Sequence, residues 1–185
     1  MLAQVSVMFV DVRGFTSLSE KFQPTTMVAR LNRFYKLAAQ SVFELDGTLD
    51  KMVGDQVMAF FGAPFRPEDH AERAVQAALR IVSGALFPGE GLEGLPVGGG
   101  VATGEVFMGN VGEGEVRDFT VIGDTVNTAA RLQALAGPRE LLVTDDTYRE
   151  VSGRFSSSEE RTLELKGKEA PLLAHLLTTA GQHRS

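Results

Sequence analysis

The chain of 185 residues contains no cysteine. That excludes a disulfide framework, a thiolate metal site and a cysteine nucleophile, and it is compatible with a reducing cytoplasm. A basic cluster is also missing: 18 Lys and Arg are scattered among 24 Asp and Glu, for a net charge of −6. General nucleic-acid binders neutralise phosphates with a basic face, so that class is set aside. No apolar run approaches the ~20 residues that a membrane-spanning helix needs. The start has neither the charged segment nor the small-residue cleavage site of a signal peptide. There is no internal repeat, no low-complexity tract, no Gly-x-Ser-x-Gly and no Walker-type Gly-Lys-Ser/Thr. His70, His175 and His183 stand too far apart for metal-ligand spacing and read as structural or exposed. What remains is an ordinary globular mix, 43% hydrophobic and 23% charged, long enough to bury one sizeable core. The expectation is one soluble, mildly acidic, cytoplasmic domain over residues 1–185.

Hydrophobic patterning orders the elements. Residues 4–11 read as a buried strand, and Gly14 and Thr16 open a turn. From Pro24 to about Leu45, apolar residues recur at 27, 31, 34, 38, 42 and 45, the spacing of an amphipathic helix that Gly47 stops. "GTLDKMVGDQVMAFFGAP" reads as a hairpin turning at Gly54-Asp55. "PEDHAERAVQAALRIVSGAL" predicts a helix with an acidic first turn and an apolar face of Ala74, Ala78, Ile81 and Val82. A Gly-rich stretch over 88–100 leads into strand-like "VGGGVATGEVFMGNVG". "VRDFTVIGDTVNTAARLQALAGP" reads as strand, turn and helix, with Asp124 or Thr125 as cap and Gly137-Pro138 as the close. Then come "LLVT", a short helix from Asp145 to about Val151, and closing strands "RTLELKG" and "PLLAHLLT". Without a strict βαβ rhythm, the fold class is α+β, helices packed on a mostly antiparallel sheet.

Asp11 ends the apolar run Val7-Met8-Phe9-Val10, and Asp55 sits in the hairpin turn. If their strands are neighbours, both carboxylates emerge at one sheet edge, and such a pair either shares a proton or binds a cation. Oxygen donors alone favour a hard ion, Mg²⁺ or Mn²⁺. The plainer alternative is a turn-forming Asp55 and a helix-capping Asp11. Val12 to Thr16 form a Gly-containing turn into a helix, whose backbone N–H groups suit phosphate. Asn127 and Arg131, four residues apart, share one helix face. There Arg can offset charge on a phosphoryl group and Asn can orient a ligand oxygen, or both can belong to a solvated surface. Taken alone, Lys51 reads as a surface lysine, Thr120 as a β-branched strand residue, and Lys166 and Lys168 as parts of a turn.

In order and spacing, "FVDVRGFTSLSE", "DKMVGDQVMAFFGAP" and "FTVIGDTVNTAARLQ" resemble the signature segments of class III nucleotidyl cyclase catalytic domains. "PEDHAERAVQAAL" and "LKGK" resemble the family too, so the likeness runs from about Val5 to Leu177. It implies a ferredoxin-like βαββαβ core with a largely antiparallel sheet flanked by helices, plus C-terminal strands. Asp11 and Asp55 match the family's metal aspartates, with the Val12 carbonyl as a further ligand, and two Mg²⁺ or Mn²⁺ ions as cofactors. The backbone of Val12, Arg13, Gly14 and Phe15 matches its phosphate-binding turn. Lys51 and Thr120 match the pair that reads the purine; Thr in place of the more usual Asp is similar to the type IIIb subclass. Asn127 matches the ribose-orienting residue, Arg131 the transition-state arginine, and Lys166 a lysine on the terminal phosphates, with Lys168 the alternative in register.

The implied activity is adenylyl cyclase: the ribose 3′-hydroxyl of ATP attacks the α-phosphorus, giving cyclic AMP and pyrophosphate. The family builds each site from two chains, so one chain carrying both residue sets implies a head-to-tail homodimer with two shared sites. Lys51 as donor suits adenine N1, whereas the family's guanylyl cyclases usually carry Glu there. No side chain stands out as general base. Type IIIb-like members often respond to bicarbonate, which makes it a candidate effector, and regulatory domains of a longer protein are further candidate partners. The alternatives are a guanylyl cyclase and a catalytically silent nucleotide-sensing or dimerisation module. A diguanylate cyclase is disfavoured, because its Gly-Gly-Asp/Glu-Glu-Phe hairpin is replaced by Val53-Gly54-Asp55-Gln56.

Overall fold

The computed structural model describes residues 1–64, 67–84, 95–115, 118–164, 167 and 170–179. The elements are β1 (Leu2–Val12), α1 (Phe15–Lys21), α2 (Pro24–Glu44), β2 (Thr48–Val53), β3 (Gln56–Phe61), α3 (His70–Ser83), β4 (Val97–Val111), β5 (Asp118–Ile122), α4 (Asp124–Leu135), β6 (Leu141–Thr144), α5 (Asp145–Val151), β7 (Phe155–Leu163) and β8 (Leu172–Thr179).

β1 lies between β3 and β4 in a sheet of order β2-β3-β1-β4-β6-β8-β7, with β5 also paired to β4. The first four strands in that order are those of a ferredoxin-like βαββαβ unit. Among the described residues only β4 and β6 pair in parallel; the other pairs, from β1–β3 outward, are antiparallel. The expected α+β architecture is therefore present.

The apolar run of β1 has a simple cause. Met8, Val10 and Val12 enter one core cluster, while Val5, Val7 and Phe9 enter another. Both faces of the strand are covered, so the sequence need not alternate with polar residues. β3 does the same, sending Val57, Ala59 and Phe61 one way and Met58 and Phe60 the other. The first face is closed by α2 and α3 through Phe34, Leu37, Val42, Ala74, Ala78 and Ile81. The second is closed by the β4–β5 hairpin and α4 through Met108, Val121 and Ala129. Successive strand residues point to opposite faces, so Asp11 falls on the side of Val7 and Phe9, facing α4.

Two expectations need correction. Neither Asp124 nor Thr125 caps α4: the N-cap is Gly123, without a side-chain cap hydrogen bond. Thr125 Oγ1 instead donates to the Glu105 carbonyl (3.1 Å), tying the helix start to β4. The strand expected over "RTLELKG" begins earlier, at Phe155, and ends at Leu163. Its "FSSSEER" half is polar because β7 is an edge strand, held by its ladder with β8 rather than by two buried faces.

Candidate active site

Asp11 is in register with Gln56, and the Val12 N–H donates to the Asp55 carbonyl (3.2 Å). The end of β1 and the β2–β3 turn therefore meet at one sheet edge. Gly54 closes that turn at φ 60°, a left-handed conformation that costs glycine little. α1 starts from Gly14, not Asp11, so the capping alternative for Asp11 is excluded. Together Asp11, Val12, Arg13, Gly14, Phe15 and Asp55 line a cleft of about 440 Å³, closed on the far side by Gln133 and Ala134 at the end of α4.

Charge in this cleft is balanced from within. Burial pushes the Asp11 carboxyl above its ordinary range, the charge of Asp55 adds to this, and the Arg13 guanidinium draws it back down. Arg13 is ion-paired with Asp11, and its Nη1 donates to the carbonyls of Ala134 and Ala136, each at 3.3 Å. The Arg13 side chain thus staples the end of β1 to the C-terminus of α4. The Val12 and Arg13 N–H groups are likewise taken, by the carbonyls of Asp55 and Pro96, so of the expected phosphate-binding turn the Gly14 and Phe15 N–H groups remain.

A divalent cation fits this donor set. The donors are oxygens, and burial beside a second carboxylate is a setting that a bound cation relieves. Asp11 must then exchange its Arg13 partner for the ion. Among the described residues no group of three or more His, Cys, Asp or Glu gathers as a metal site, in this cleft or elsewhere.

Lys51, Thr120, Asn127 and Arg131 lie on the same face of the sheet but do not line this cleft. Lys51 pairs with Met58, which belongs to the face covered by α4 and β5. Thr120 pairs with Gly109 on β4, yet its hydroxyl donates to Asp50 on β2 at 2.6 Å. The β4–β5 hairpin must therefore curl back over Val7, Phe9, Met58 and Phe60, its partners in the core. Asn127 is exposed and Arg131 half-buried on α4. A Cβ built on Gly167 would lie 3.7 Å from Arg131 Nη2, so this glycine sits against the guanidinium. Lys166 and Lys168 lie outside the described residues. Lys51, Asn127 and Arg131 make no side-chain hydrogen bond or ion pair among the described residues. Two of the three, Lys51 and Asn127, are exposed.

Sequence reasoning missed two residues. Asp50 reads as one more strand carboxylate until its bond to Thr120 is seen. Gln133 is 5% exposed, and its Nε2 is buried without a hydrogen bond of ordinary geometry. It faces Asp11 closely enough to favour the ionised carboxylate. The available signal was a glutamine beside Leu132 on the sheet-facing side of an amphipathic helix. His70 and His175 are structural, as expected: His70 bonds Ser6 (2.8 Å), and His175 bonds Asp145 (2.9 Å) and stacks on Tyr148. His183 lies outside the described residues.

The family described as the adenylate and guanylate cyclase catalytic domain matches residues 1–179. The chain belongs to this family. An adenylate cyclase of Anabaena cylindrica is 33% identical over 181 residues, covering 90% of this chain and 35% of that protein. The crystal structure of the adenylyl cyclase CyaB from P. aeruginosa superposes with a TM-score of 0.89 at 28% identity, covering 98% of this chain and 97% of that one. The guanylyl cyclase Cya2 superposes with a TM-score of 0.88, also at 28% identity, covering 100% and 96% of the two chains. This cyclase domain spans about a third of the length of the curated relatives it matches. No helix among its described residues is long and apolar enough to cross a membrane.

Proposed function

We propose that this cyclase domain is an adenylyl cyclase, forming cyclic AMP and pyrophosphate from ATP at sites shared between two copies of the chain. One observation carries the reading. A carboxylate cleft at Asp11 and Asp55 and a set of Lys51, Asn127 and Arg131, unpartnered among the described residues, occupy one face of one sheet, and none of the three lines that cleft. A second copy placed head to tail sets these three groups of each chain over the cleft of the other, an isologous arrangement that closes with two sites.

In that site the backbone N–H groups of Gly14 and Phe15 hold the phosphates at the start of α1. Asp11, Asp55 and the Val12 carbonyl would hold two Mg²⁺ or Mn²⁺ ions. Once bound, such ions supply a lowered pKa at the 3′-hydroxyl and positive charge for the departing phosphates. Asn127 orients the ribose so that its 3′-oxygen lies in line with the α-phosphorus. As the 3′-oxygen bonds to that phosphorus, the bond to the bridging oxygen of the β-phosphate breaks. The electron pair leaves with pyrophosphate, and the hydroxyl proton passes to solvent. Arg131 offsets the charge that builds on the α-phosphate, a role worth about 10³-fold or more in phosphoryl transfer.

Lys51 donates to adenine N1 and leaves guanine, whose N1 carries hydrogen, facing a donor. The likeness to Cya2 keeps GTP as the competing substrate. Turnover with each nucleotide and Mg²⁺ or Mn²⁺, read as cyclic nucleotide and pyrophosphate, decides between them. Cyclic AMP formed with the higher kcat/KM supports the reading. A preference for GTP overturns the base assignment, and nucleotide binding without turnover leaves a sensing module.

A further inference from the structure

The hydrogen bond from Thr120 to Asp50 joins residues 70 positions apart on two strands that are not neighbours in the sheet. Its local cause is a break in register. β2 pairs Leu49 with Ala59 but Lys51 with Met58, so Asp50 is the extra residue of a bulge. Leu49 packs toward the α2 and α3 side, and Met58 marks the opposite face. A bulge interrupts strand alternation and re-aims a side chain. Here it brings the Asp50 carboxylate to Thr120 on the face that Lys51 already serves. Two consecutive residues thereby act on one side of the sheet.

The consequence is a matter of proton count. A threonine hydroxyl has one hydrogen to give and lone pairs with which to accept, and an ionised carboxylate can only accept. With its hydrogen committed to Asp50 and its side chain 6% exposed, Thr120 has only acceptor capacity left. Lys51 next to Asp50 has only donors. Adenine presents an acceptor at N1 and a donor at its 6-amino group; guanine presents the reverse, N1–H and O6.

We infer that Asp50 is a specificity-determining positioning residue: by taking the Thr120 hydroxyl hydrogen it fixes Thr120 as an acceptor, so that Lys51 and Thr120 together complement adenine and oppose guanine. This rests on the reading of Lys51 and Thr120 as the base-reading pair. Without Asp50 the hydroxyl turns freely and donates to guanine O6, and discrimination falls.

The test is the ratio of kcat/KM for ATP to that for GTP, each ratio taken on one preparation so that the folded fraction cancels. The proteins are wild type, Asp50→Ala, Thr120→Val, the double variant and Lys51→Ala. The expected result is a drop of about tenfold in the ratio for Asp50→Ala, mainly through better use of GTP. Thr120→Val lowers the ratio as well, and the double variant falls no further than Thr120→Val alone, because the carboxylate acts only through the hydroxyl. If Asp50→Ala turns over neither nucleotide, competition of ATP and GTP against a fluorescent ATP analogue reads the same ratio as binding. An Asp50→Ala ratio within twofold of wild type, while Thr120→Val and Lys51→Ala shift theirs, overturns the role of Asp50 alone. Ratios unmoved in all the variants overturn the base-reading pair together with it.

Discussion

The two halves of the candidate site differ in how far they are satisfied within one chain. The Asp11 cleft is closed on itself: Asp11 holds Arg13, and Arg13 holds the last carbonyls of α4. The other half is open, with Lys51, Asn127 and Arg131 unpartnered among the described residues. The same residue type thus serves two ends. Arg13 is part of the fold's own electrostatics, whereas Arg131 has no hydrogen-bond or ion-pair partner among the described residues. The difference teaches where stability and activity separate: substitutions in the closed half cost both, and substitutions in the open half cost activity alone.

The largest expected effect is that of Arg131→Ala, a fall in kcat of about 10³. Its unfolding free energy should stay within about 0.5 kcal/mol of wild type, since no polar partner among the described residues is lost. Initial rates and denaturant melts check the two parts, and a large loss of stability breaks the comparison. Gly100→Ala comes next. A methyl there would lie 2.5 Å from the Gln133 backbone nitrogen and 2.6 Å from the Ala129 carbonyl oxygen. Backbone cannot swing aside, so α4 must move bodily, costing about 2 kcal/mol and displacing Asn127 and Arg131. Denaturation and turnover should fall together, unlike in Arg131→Ala.

Arg13→Ala probes the closed half. It strands Asp11 beside Asp55 and unties the α4 carbonyls, and should cost about 1–2 kcal/mol by thermal melting. A variant with unchanged stability would mean that the staple is only a surface contact. The smallest effect lies away from the site. Burial pushes the His70 imidazole below its ordinary value of 6.5, against the weaker upward pull of Glu150 and Asp69. The folded state then binds protons less readily than the unfolded one. This contribution is complete above pH 6.5 and is lost as pH falls through the depressed folded value. His70→Gln, which can still bond Ser6, should flatten part of the decline in melting temperature below that pH.

Much of this arrangement is legible in the residues, for physical reasons. The Gly54-Asp55 turn stands out because a positive φ between two apolar strands calls for glycine. The helices α2 and α3 show through their 3.6-residue periodicity, and the Asn127–Arg131 face through its spacing of four. What stays hidden depends on contacts across the fold. The bulge at Asp50 leaves no local mark, and the return of β5 over the sheet becomes visible only in the Thr120–Asp50 bond. Gln133 looks like any helical glutamine until the sheet closes over it. The early start of β7 is masked because an edge strand of Ser and Glu is selected by its partner rather than by its own hydrophobicity.

The most direct measurement of the central claim mixes two inactive variants. Asp55→Ala and Arg131→Ala, each purified and each without activity alone, are combined in equal amounts and assayed with ATP. If each site draws one half from each chain, mixed dimers carry one intact site, and activity should return to about a quarter of wild type under random pairing. A mixture that remains inactive while mixed dimers form, or a single variant that keeps turnover by itself, would contradict a site shared between two copies.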